Sequence, residues 1–173
     1  MKKRLLVLCL LLLLALRPAC AETAYTALCG GVPVLSLQYD ETAFVLDTES
    51  YLTGTFGAHT WLGMFYNGYC TVELSADWYP DLPAAGDPTA LTQYLNALLS
   101  DAQGQWLETY TNPQFVSFAL YSLNGMYGPS YYAALLSQGY LVHFEIYNLR
   151  GGVDITALDT LKGLLDGVGQ MLP

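Results

Sequence analysis

Two β-rich runs, Trp61 to Tyr66 and Tyr69 to Ser75, flank the dipeptide Asn67-Gly68. A two-residue type I′ turn needs positive φ at both central positions, which Asn and Gly tolerate, so this pattern predicts an antiparallel hairpin. The expected register sets Tyr66 opposite Tyr69, Phe65 opposite Cys70, Gly63 opposite Val72 and Trp61 opposite Leu74. One face then carries Trp61, Phe65, Cys70, Val72 and Leu74. The other carries Leu62, Met64, Tyr66, Tyr69, Thr71 and Glu73.

Tyr140 to Tyr147 (YLVHFEIY) also alternates. Tyr140, Val142, Phe144 and Ile146 share one face, and Leu141, His143, Glu145 and Tyr147 the other. Further strands are expected over Val32 to Tyr39, Ala43 to Asp47 and Phe115 to Tyr121. Tyr131 to Ser137 is open between strand and helix. Gln138-Gly139 before the next strand favours a strand ending in a hairpin. Residues 22–31 read as an irregular lead-in, 48–59 as turn-rich, and Asn124-Gly125 as a turn before a loop over 126–130.

Two helices complete the pattern. Asp87 is placed to cap the first, Pro88 suits its first position and Gly104 stops it. Its stripe is Leu91, Tyr94, Leu95, Leu98 and Ala102. The second starts at Asp154 or Thr156, after a turn at Arg150-Gly151-Gly152, and runs to about Gln170 with Leu158, Leu161, Leu165, Val168 and Leu172 on one side. Thr156 and Asp159 resemble a capping box. One-sided helices need a sheet to cover, and hairpins imply antiparallel pairing. The expected fold class is α+β: one antiparallel sheet of about six to seven strands with two amphipathic helices packed on it.

The first 21 residues read as an export signal. Lys2, Lys3 and Arg4 precede an apolar run of 12 residues, Leu5 to Leu16, and Ala19-Cys20-Ala21 offers small residues for cleavage after Ala21. The run is shorter than the roughly 20 residues of a spanning helix. Cys20 is a rival candidate for lipid anchoring, but Arg17 stands where lipoprotein processing wants a Leu-like residue. The expected product is a single secreted domain, 22–173. Four of the chain's 6 cations leave with the signal, so Arg150 and Lys162 remain against all 15 acids. Such a surface repels nucleic acid and anionic headgroups and favours cations or basic partners. It also serves simply to keep an aromatic-rich protein soluble.

Cys29 and Cys70 are the cysteines left after signal removal. In an exported chain two cysteines more often pair than stay free, so a Cys29–Cys70 disulfide is expected; two buried thiols are the alternative.

The order of elements resembles the PsbP-like α+β domains of photosystem accessory proteins and exported bacterial proteins. The resemblance is carried by SLQYDETAFVLD, by DPTALTQYLNALLSDAQ after a long loop, and by GYLVHFEIYN followed by ALDTLKGLLDGVGQM. It is a likeness of order and length. It implies a non-enzymatic accessory or binding domain, in some relatives linked to Mn²⁺ or Ca²⁺, and carries over no ligand residue.

Candidate chemistry is sparse. Gly128-Pro129-Ser130-Tyr131 fails the G-x-S-x-G elbow. His143 and Glu145 share a strand face, as a hydrolase pair or a hydrogen-bonded structural feature. His59, in a Gly-rich stretch, reads as solvated. Asp47 with Glu49, and the trio Asp77, Asp81 and Asp87, are the densest acids, yet they lack the calcium-loop pattern, and sequence spacing does not show the close approach a glycosidase pair requires. Tyr66, Tyr69 and Tyr147 beside carboxylates are candidates for stacking on sugar rings, or for core. No catalytic residue, metal ligand or cofactor is assigned. The expected function is an exported binding or accessory domain for an unknown protein, cation or glycan. An envelope interaction protein and a small hydrolase are the alternatives.

Overall fold

The computed structural model describes residues 22–49, 54–85, 87–125, 128–148 and 153–169. The signal segment with Cys20, and the turn at Arg150-Gly151-Gly152, lie outside them. Within them the chain is mostly β. The strands are β1 (Glu22–Cys29), β2 (Val32–Asp40), β3 (Val45–Asp47), β4 (Gly54–Phe56), β5 (His59–Tyr66), β6 (Thr71–Asp77), β7 (Gln105–Thr111), β8 (Ser117–Gly125), β9 (Gly128–Ser137), β10 (Tyr140–Tyr147) and β11 (Val168–Gly169). Two short helices, α1 (Pro88–Leu98) and α2 (Ile155–Leu165), interrupt them.

The expected single sheet under two helices is corrected. The described residues form two sheets. The larger runs β3-β5-β6-β10-β9-β8-β7, with β4 added on β5, and the smaller runs β1-β2-β11. All their pairings are antiparallel. One face of the large sheet packs with the small sheet and α2. Val72, Leu74, Val142, Phe144 and Ile146 meet Val34, Leu35 and Leu37 there, together with Leu158, Leu161 and Leu165. On the opposite face α1 lays Leu91, Leu95 and the following Leu99 over Ala119, Tyr121, Tyr132, Ala134 and Leu141. Tyr121 Oη reaches across to Asn96 Oδ1 at 2.9 Å and Thr92 O at 3.0 Å, tying helix to sheet.

The elements the pattern did not anticipate have physical causes. β1 replaces the expected irregular lead-in: Gly30 and Gly31 take φ of 57° and 82°, the two positive values of a type I′ turn, and return the chain as β2. β7 is an exposed edge strand, so its sequence QWLETYT carries little apolar alternation. The Asn124-Gly125 turn is displaced: β8 runs through Gly125, which pairs with Gly128. β9 is a strand, and Gln138 and Gly139, at φ 51° and 79°, turn it into β10. Asp87 caps α1 through Thr89 and Ala90 backbone N–H groups, as expected. Asp154, rather than Thr156, caps α2.

The central hairpin forms two residues out of the expected register. Tyr66 pairs with Thr71, Phe65 with Val72 and Met64 with Glu73. Asn67 Oδ1 accepts the backbone N–H groups of Tyr69 and Cys70 at 3.0 and 2.7 Å, which stabilises a longer loop than the two-residue turn. A bulge between Trp61 and Gly63 then swaps the faces of what precedes it. Leu62 enters the core, and Trp61 moves to the polar face. Gly63 suits this bend, because a Cβ there would stand 3.0 Å from Leu46 Cδ1.

Candidate metal centre

Beside α1, on the same face of the large sheet, β5, β6 and β10 carry a polar stripe. His59 opens β5 directly opposite Asp77 at the end of β6. Leu141 of β10 is Asp77's partner on the other side, so His143, two residues on, projects from that face beside it. The result is one carboxylate between two imidazoles. His59 Nδ1 stands 2.5 Å from Asp77 Oδ1, and His143 Nε2 stands 3.1 Å from Asp77 Oδ2. The side chains of Asp77 and His143 are each 10% exposed and that of His59 28%, so the cluster opens to solvent on the His59 side.

The electrostatics follow from this geometry. Burial opposes charge on Asp77, but hydrogen bonds from His143 and His59 outweigh it and hold the carboxyl well below the usual range. The bond to Asp77 likewise raises His59, against a smaller desolvation effect. A carboxylate only accepts, so His59 Nδ1 and His143 Nε2 both present protons to it. Among the described residues, buried His143 Nδ1 has no hydrogen-bond partner. Aromatic rings hold the imidazoles in place. Trp61 meets His59 edge-on at 4.4 Å between centroids, and Tyr132 stacks on His143 at 5.0 Å. Tyr79 Oη adds a long contact of 3.4 Å to Asp77 Oδ2.

One potential ligand atom from each of His59, Asp77 and His143 lies within 4.8 Å of the others. Sequence spacing hid this set, since His59 and His143 stand 18 and 66 residues from Asp77. The expected solvated loop at His59 is strand β5. His143 is hydrogen-bonded to Asp77 instead of Glu145. Glu145 accepts from Ser130 Oγ at 2.6 Å, and its carboxyl is raised mainly by burial. Across the ladder Glu145 faces Glu73, which accepts the Trp61 indole N–H at 2.8 Å.

The other candidates are dispersed. Asp87 is a helix cap, and Asp47 Oδ1 accepts the Glu49 N–H at 3.0 Å in a local turn. Asp81 stands beside Tyr94. Tyr66 and Tyr69 are exposed, whereas Tyr147 is buried. Cys29 and Cys70 are both buried, and no disulfide links them. Cys29 Sγ contacts Thr60 Oγ1 at 3.5 Å, near the start of β5, while Cys70 O accepts from Asn67 N at 3.3 Å just past its end. The six steps from Thr60 to Tyr66 span roughly 20 Å at strand rise. A disulfide needs Cα atoms within about 7 Å. The structure therefore does not bring the expected pair together.

No protein-family model matches the chain, and no curated protein does. Among solved structures, the chain is similar to the solution structure of cyanobacterial PsbP from Synechocystis sp. PCC 6803, with 10% identity and a TM-score of 0.47 over 88% of this chain and 94% of that one. This is the PsbP-like resemblance that element order and length suggest. At this identity it carries no residue's role across.

Proposed function

We propose that this chain is an exported, non-enzymatic binding domain that holds a divalent transition-metal ion on His59, Asp77 and His143. The carrying observation is the convergence of three donor atoms, within 4.8 Å of one another, from three strands of one sheet. Donors around a tetrahedral Zn²⁺ at about 2.0–2.1 Å stand roughly 3.3 Å apart, so small side-chain movements suffice. Two imidazoles with one carboxylate suit Zn²⁺, Cu²⁺ or Ni²⁺. Ca²⁺ and Mg²⁺ prefer six or more oxygens. Export is supported by the signal-like first 21 residues, and no helix among the described residues is long and apolar enough to cross a membrane.

Binding must displace the protons that His59 Nδ1 and His143 Nε2 present to Asp77, so affinity falls with falling pH. The test is a calorimetric titration of the EDTA-stripped domain with Zn²⁺, Ni²⁺, Mn²⁺ and Ca²⁺ at matched ionic strength. The expected result is saturable one-to-one binding of Zn²⁺ or Ni²⁺, abolished in His59→Gln. Ni²⁺ or Cu²⁺ should also quench Trp61, which touches His59. Equal, non-saturating responses to all four ions, or unchanged affinity in His59→Gln, would overturn the proposal.

A further inference from the structure

The turn from β7 to β8 holds one residue at a cost to folding. The sequence pattern expects a strand from Phe115 on, but β8 starts at Ser117, and Phe115 stands in the turn with φ 61°. That is the left-handed region, which suits Gly or Asn and strains a bulky side chain. Its ring is also 82% exposed. A lone exposed apolar residue is ordinary. A bulky one at positive φ is unfavourable on two counts, and Asn would make the same turn with less strain. The turn itself is firmly built around buried Asn112. Asn112 Oδ1 accepts the N–H groups of Gln114 and Val116 at 3.0 and 2.9 Å, and its Nδ2 donates to Leu165 O and Val168 O, both at 2.8 Å. Phe115 N donates to Asn112 O at 3.0 Å. The amide thus fills all four of its bonds, and the strained ring projects from a fixed mount. Strain kept in a braced segment points to a use outside folding.

The same turn borders a hollow. It lies between the small sheet and the C-terminal half of α2 and encloses about 590 Å³. Gln114, the residue before Phe115, lines it. Neighbouring Cα atoms stand about 3.8 Å apart, so the ring and the hollow adjoin on one surface. The half-buried rings of Tyr39 and Phe44 form part of its wall. Each stands edge-on against the buried ring of Phe65, with centroids at 5.3 and 6.3 Å, so neither can fill the space without giving up that packing. On the helix side Gly163 lines the hollow, and a Cβ built there meets nothing within 4 Å.

We propose that two copies of this chain associate about a two-fold axis, each seating Phe115 in the hollow of the other. A projection and a hollow side by side are self-complementary, because a half-turn sets each ring over the opposite hollow. Aromatic walls suit an incoming ring, which pairs with them edge-on or offset. Two phenyl rings and the surfaces they cover bury roughly 600–1,000 Å² in total, which places the contact among weak, transient interfaces. The chain carries 15 Asp and Glu against 6 Lys and Arg, so two copies repel at long range. The attraction is apolar, and salt should strengthen it by screening that repulsion. The contact uses none of the imidazole–carboxylate cluster, and either can stand without the other.

The test is sedimentation equilibrium of the secreted form in EDTA, from about 10 µM to about 1 mM, the range a contact of this size spans. A reversible monomer–dimer equilibrium that tightens with added salt is expected. Phe115→Asn removes the projection and Gly163→Leu fills the hollow, and each should weaken association at least tenfold. The urea midpoint of Phe115→Asn, read where the wild type is monomeric, should hold or rise, because Asn tolerates the turn's φ. Mixing supplies the decisive arm. Unlabelled Gly163→Leu, which keeps its Phe115, should shift the Gly163 and Gly167 amides of ¹⁵N-labelled Phe115→Asn, which keeps its hollow. Unlabelled Phe115→Asn should leave them unmoved. A wild type that stays monomeric at the highest concentration, association that persists in Phe115→Asn, growth past the dimer, equal shifts in the two mixtures, or a lowered midpoint showing that Phe115 serves the fold would overturn the proposal.

Discussion

Asp77 meets two opposing demands. Its burial disfavours charge, yet two imidazoles make charge the better state, and the second effect wins. Its lowered carboxyl contributes stability that is present above the unfolded-chain value near 4 and is lost as acid protonates the folded group. His59 is raised, so its contribution is complete below about 6.5 and is lost as pH climbs through its folded value. The two overlap between roughly pH 4 and 6.5. In EDTA, the stability gap between the wild type and Asp77→Asn should be widest in that window and narrow on both sides, read from urea midpoints across pH. Within it, Asp77→Asn should cost about 2–3 kcal/mol, because His143 is left buried without its carboxylate. A gap independent of pH would mean that the imidazoles do not share the charge. The sequence pattern already shows which face His143 occupies, because β10 alternates without a defect. It does not show what His143 meets there. That depends on the β6–β10 register and on where β5 starts, and the bulge at Trp61 to Gly63 changes which of the β5 side chains share its face.

At the scale of elements, α2 tests how far local propensity reaches. Gly163 and Gly167 look alike in the sequence, and both weaken a helix. In the structure their situations are opposite. A Cβ at Gly163 meets nothing within 4 Å, whereas one at Gly167 would fall 1.7 Å from Gln38 O. Gln38 N also donates to Gly167 O at 2.8 Å, so this glycine is where the chain after α2 seats against β2. Gly163→Ala should therefore stabilise by up to about 1 kcal/mol. Gly167→Ala should destabilise, with β11 separating from β2. Urea unfolding of the two variants side by side checks both signs. Helix starts were legible because a cap is a local event: Asp87 is bonded to the two N–H groups that its position promised. β1 and β7 were not legible. Their strand character comes from a partner, β2 for one and β8 for the other, and each leaves many of its side chains in solvent.

For the molecule as a whole, Phe65 is the meeting point of the two sheets. Its ring is fully buried and touches Tyr25 and Tyr39 from the small sheet and Phe44 from the β2–β3 connection, all edge-on. Phe65→Ala should cost about 3–5 kcal/mol. If the two sheets form one cooperative unit, tryptophan fluorescence and far-ultraviolet dichroism should still report a single coincident transition in that variant, at lower denaturant. Two separated transitions would show that the small sheet folds on its own. The two-sheet architecture was the part of the fold furthest from the sequence, because a hydrophobic strand face looks the same whether a helix or another sheet covers it. The thiols at opposite ends of β5 give this interior a further property. Cys29 and Cys70 are sealed and unlinked, so the native state has no need of an oxidant and should refold as readily in dithiothreitol as in air. Each thiol then becomes a clock. Single-cysteine variants labelled with a thiol reagent would time the lifting of the small sheet at Cys29 and the fraying of the central hairpin at Cys70, and so rank which end of the molecule opens first.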